Sequence, residues 1–99
     1  VGVRMINWRE AKRIIDSGEA DAYDLLTENM PGIERKFKKV DKALVDLLAE
    51  IQTVFPDATY YTASGGFHLM LGPSHDDNER GMQELVALAG RAQIGDGDF

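Results

Sequence analysis

Seven apolar residues, Ile33, Phe37, Val40, Leu44, Leu47, Ile51 and Val54, recur at alternating steps of four and three. That is the a and d rhythm of a heptad carried through three repeats, and it predicts a single long amphipathic helix over 33–55. In a chain of 99 residues such a helix is the dominant element, and everything else has to be built around it. Two readings of the seam follow. Ala43, Leu48 and Phe55 widen the apolar stripe, which suits the core face of a domain; the strict seam suits a two-helix contact, within the chain or across a dimer.

The segments on either side punctuate clearly. Asn7 with Glu10 three positions on is a helix-opening pair, and a helix over 8–17 follows, ending where Gly18 can take the left-handed conformation. A second short helix over 19–29 stops ahead of Pro31, because the residue before a proline avoids helical geometry. Met30-Pro31-Gly32 is then a turn. Beyond Pro56 the period changes to two: Ala58 to Ala63 is rich in Thr and Tyr, Ser64-Gly65-Gly66 supplies a turn, and Phe67, Leu69 and Leu71 alternate with His68 and Met70. This predicts an antiparallel hairpin over 58–71 with Phe67, Leu69 and Leu71 facing inward. Residues 74–81 read as a polar connection. Residues 82–89 fit either a helix or a third strand over 83–89; the strand is preferred because two strands alone are marginal in water.

The expected fold is therefore α+β in one domain over 1–99: two short N-terminal helices and a long amphipathic helix packed on a small antiparallel sheet. Residues 1–5 and 94–99 are expected to be flexible ends, and Met5 could be an original start. The chain has 43% apolar and 28% charged residues and no cysteine. The first two figures are those of an ordinary globular protein, and the third removes disulfides and thiolate metal sites and favours a cytoplasmic setting. No apolar run approaches the roughly 20 residues that span a bilayer, and no signal-peptide pattern opens the chain. No membrane partner is expected.

Charge is distributed in blocks. The net charge is −6, yet six acids and no base lie in 14–34, whereas Arg35, Lys36, Lys38, Lys39 and Lys42 face only Asp41 over 35–42. An acidic total argues against a nucleic-acid partner, since phosphate contacts need a positive field. The basic cluster reads as a solvated helix face, with Glu34 and Lys38 one turn apart in the favourable order. A stacking surface built from Tyr60, Tyr61 and Phe67 beside it is disfavoured, because so small a sheet needs its aromatics for the core.

Catalytic and metal motifs are weak. Ser64 misses the first glycine of a nucleophile elbow and lies between strands instead of between strand and helix. His68, His75, Asp76 and Asp77 could be imagined around a zinc or manganese ion in a small metal-dependent enzyme, but no ligand spacing such as H-x-x-x-H is present. Asp76 to Gly81 opens like a calcium loop and fails where Arg80 and Ala87 stand at the fifth and twelfth positions. Asp96-Gly97-Asp98 has no loop around it, and no glycine-rich phosphate cradle or other cofactor motif exists.

The run Tyr60-Tyr61-Thr62-Ala63-Ser64-Gly65-Gly66-Phe67-His68-Leu69-Met70-Leu71-Gly72, with the terminal Ile94-Gly95-Asp96-Gly97-Asp98-Phe99, resembles segments of small accessory proteins carried by bacteriophages and prophages. That resemblance implies a protein acting by binding a host or phage protein, and it transfers no functional residue. The functional expectation is a non-enzymatic protein-binding module or inhibitor, with acidic mimicry of nucleic acid by 14–34 as one form of it. The alternative is a self-associating protein that dimerises through helix 33–55.

Overall fold

The computed structural model describes residues 5–63 and 65–95. The chain is α+β: the described residues form three α-helices followed by a three-stranded antiparallel sheet. The backbone gathers into two compact units, Val1–Asp41 and Lys42–Phe99.

In the first unit, α1 (Trp8–Asp16) opens as its sequence requires, with Asn7 Oδ1 accepting the Glu10 amide at 2.9 Å. Its Lys12–Asp16 pair closes at 2.6 Å, and its one buried side chain is Ile14. The second helix, α2 (Ala22–Asn29), starts three residues later than the predicted 19. Asp21 explains the difference: its Oδ1 accepts the Asp24 amide at 2.8 Å, so it serves as a cap and cannot be helix interior. α1 and α2 touch, and between them lies an apolar groove of about 360 Å³ lined by Ile6, Ala11, Ile15, Leu25, Leu26 and Met30, among others.

The long helix α3 spans Ile33–Gln52. It ends short of the predicted 55, because the amides of Thr53, Val54 and Phe55 turn back onto Glu50 and Ile51 ahead of Pro56. Val54 is thereby removed from the seam. The core-face reading holds at the two ends of the remaining seam and not along its middle. Phe37 is 73% exposed, Val40 61%, Leu47 50% and Leu44 36%. Only Ile33, Leu48 and Ile51 are half-buried.

In the second unit, β1 (Thr59–Ala63) pairs antiparallel with β2 (Gly66–Met70), from Thr59 opposite Met70 to Ala63 opposite Gly66. β3 (Val86–Ala89) adds to the far side of β2, giving the order β1-β2-β3. The third strand is thus real but shorter than 83–89: Gln83–Leu85 form a 3₁₀ turn. The register shifts between Leu69 and Met70, which face Leu88 and Val86 and leave Ala87 as a bulge.

Residues directly opposite in an antiparallel pair share a face. Tyr60, Thr62, Phe67 and Leu69 therefore lie on one side, and Tyr61, His68 and Met70 on the other. Alternation predicted that only the first side would be covered, yet Met70 is 2% exposed alongside Leu69 at 9%. The reason is the stretch read as a polar connection. Residues 74–82 form an ordered loop over the second face, with the Met82 amide donating to Ser74 at 2.8 Å and the Asp76 amide to Arg80 at 3.0 Å. Asp76 Oδ1 accepts the amides of Asn78 and Arg80, which holds the tip shut.

Gly18 and Gly65 take the positive φ values their places demand, +81° and +79°. The C-terminal end is tied down at residue 94, where the Ile94 amide donates to Gly65 at 2.7 Å, so the expected flexible stretch does not begin there. Residues 1–4 and 96–99 lie outside the described residues.

Candidate interaction site

Two places on the molecule hold the residues singled out by sequence. The first is the α3 face. Phe37, Val40, Leu44 and Leu47 stand in line on one helix, all exposed. A row of large apolar side chains left in water is the kind of surface that marks an interaction site, in contrast to scattered single exposures.

The flanks of this row are charged and mostly self-contained. Lys38 meets Glu34 at 3.2 Å, as its spacing predicts, and Lys42 meets Asp46. Lys36 and Asp41, bordering the seam, have no ion-pair partner among the described residues. Exposed pairs of this type contribute little to stability. Their effect is to keep the sides of the helix polar while the seam stays apolar.

The start of α3 is fixed by a side-chain contact from α2. Tyr23 Oη donates to Glu34 Oε1 at 2.6 Å. That bond, with Lys38 beside it, holds the Glu34 carboxyl below its usual value, and the same bond and the Glu34 charge push the Tyr23 phenol up. For Glu34, a lowered value means that the interaction is present above its unfolded pKa and is lost as pH falls through the folded one; for Tyr23, a raised value means loss as pH rises through the folded one. Tyr23→Phe is expected to move the Glu34 titration midpoint upward, with Lys38 retaining part of the depression. Carboxyl-carbon NMR measures this directly, and an unmoved midpoint would show that the bond is absent in solution.

The second place is the sheet face beneath the 74–82 loop, a cavity of about 550 Å³. Here the structure brings together His68 from β2 and His75 from the loop, with Tyr61, Met70, Met82 and Val86 around them. The Tyr61 and His75 rings meet edge-on at 6.1 Å. Sequence reasoning missed Ser74, whose Oγ lies 2.9 Å from His75 Nδ1; adjacency in the chain gave no signal that both would line one cavity. Among the described residues no carboxylate is hydrogen-bonded to His75.

Asp76 and Asp77 do not join the histidines. Neither lines the cavity, and Asp76 spends an oxygen on the loop's own amides. Among the described residues no group of three or more His, Asp or Glu is placed to hold a metal ion. Ser64, Asp96 and Asp98 lie outside the described residues. Among the described residues no helix is long and apolar enough to cross a membrane.

The open row on α3 is thus one candidate surface, and the cavity that gathers Ser74, His68, His75 and Tyr61 is the other. Compared with known proteins, the chain matches no family model, no curated protein and no solved structure.

Proposed function

We propose that this chain is a non-enzymatic protein-binding module that docks a partner on the apolar face of α3. The observation that carries the reading is the exposure of Phe37, Val40, Leu44 and Leu47 along one helix face. Covering such a row with a partner's apolar surface is favourable in proportion to the area removed from water, and helix-on-helix or helix-in-groove docking uses this spacing. The few buried apolar side chains among the described residues, Ile14, Ala58, Leu69 and Met70, support it too: a small chain with a thin core gains stability from a partner.

The acidic stretch 14–34 supports the mimicry form of this role less well. Asp16 pairs with Lys12, Glu19 lies 4.0 Å from Arg13, and Asp21 caps α2. A role as a phage accessory protein, which the segment resemblance implies, belongs to the same proposal, because such proteins act by binding.

A photo-crosslinking residue placed at Phe37 or Val40, in extract of the cells that make the chain, is expected to yield a discrete protein adduct. The same probe at Arg35 or Ala49, on the back of the helix, is expected to yield none. Equal labelling from both faces would overturn the assignment of the docking face.

A further inference from the structure

The heptad frame that defines the seam also fixes its borders. With Phe37 and Leu44 at a and Val40 and Leu47 at d, position g holds Lys36 and Ala43, and position e holds Asp41 and Leu48. In a parallel two-stranded coil, each g residue faces the e residue five positions on in the other strand. Lys36 of one copy then faces Asp41 of the other, twice by symmetry. Both charges are free to do so, since neither has an ion-pair partner among the described residues.

We infer that the occupant of the α3 face is a second copy of this chain, paired parallel and in register along Phe37–Leu47. This inference rests on the docking reading above and names its partner. The antiparallel alternative is worse matched. Setting a against d layers in that direction places Val40 opposite Leu44 and brings Asp41 against Asp41 of the second copy, a like-charge contact, even though Lys36 then approaches Glu50. Two strands suit the face better than more, because Leu48 and Ile51 are already half-buried within the chain and the open strip is narrow. A two-fold pairing is also self-complementary: each copy supplies the same lysine and the same aspartate.

The experiment uses the full chain, whose lack of cysteine makes single-cysteine variants clean. Sedimentation over a concentration range is expected to show a reversible rise to twice the chain mass. Lys36→Glu and Asp41→Lys chains are each expected to associate at least about 10-fold more weakly. Mixing them is expected to restore the pairing, since the mixed pair regains both attractions. Oxidising a mixture of Phe37→Cys and Leu47→Cys chains is expected to link like with like.

Cross-links between positions 37 and 47 would overturn the parallel register, and a mass above two copies would overturn the two-stranded pairing. A monomer at every concentration would overturn the second copy as occupant while leaving the docking face to its own photo-crosslinking test. Unfolding of the chain by Phe37→Gln would instead strike at the docking reading itself.

Discussion

Gly90→Ala is expected to weaken the sheet by about 2 kcal/mol, within the range typical of overpacked sites. A Cβ built on Gly90 would sit 2.0 Å from Phe67 Cε1 and 2.3 Å from its Cζ, closer than any such contact tolerates. The backbone has no room to retreat, because the Gly90 amide donates to the Phe67 carbonyl at 2.8 Å just past β3. The ring has to move, and it stands edge-on to Tyr60 at 6.0 Å, a contact that displacement would loosen. Amide exchange at Gly90 and Leu69 is the suitable probe, and it is expected to quicken roughly 30-fold, as about 2 kcal/mol implies. Adding Phe67→Leu should recover part of the loss, since the two residues share one space. Unchanged exchange in Gly90→Ala would show that the ring does not lie over this glycine.

The second large effect concerns binding and not folding. Phe37→Gln with Val40→Gln is expected to weaken docking on α3 by about 3 kcal/mol or more, roughly 100-fold in affinity. Each replacement removes a large apolar group from the covered face and sets a polar amide in its place. Glutamine keeps helix propensity close to that of good formers, so the helix itself should persist. Titration of the identified partner, followed by calorimetry, measures the loss. Retained affinity would move the docking face elsewhere.

The sequence made the elements legible and their coverage only in part. The α3 periodicity, the Asn7 cap, the Met30-Pro31-Gly32 turn and the 58–71 hairpin are local signals, set by spacing and by turn chemistry, and all appear in the structure. Helix ends shifted where a side chain took a backbone amide, as Asp21 does for Asp24, or where the last turn tightened, as at Thr53 to Phe55. What lies over a face is a different question. A heptad seam is written the same way whether the chain or another molecule covers it, so sequence could not choose between core and interface for Phe37 and Val40. Met70 was placed outward by alternation and is buried because the 74–82 loop folds over it, a long-range event without a local signal. The convergence of His68 and His75 on one cavity has the same origin.

The most direct test of the docking account is the unfolding free energy of the Phe37→Gln/Val40→Gln chain in urea, at concentrations dilute enough that association contributes nothing. Both side chains are mostly in water in the single chain, 73% and 61% exposed, so the account predicts a change within about 1 kcal/mol of the wild type. A loss of about 4 kcal/mol or more, the cost of emptying two core positions, would place the seam inside the fold and contradict it.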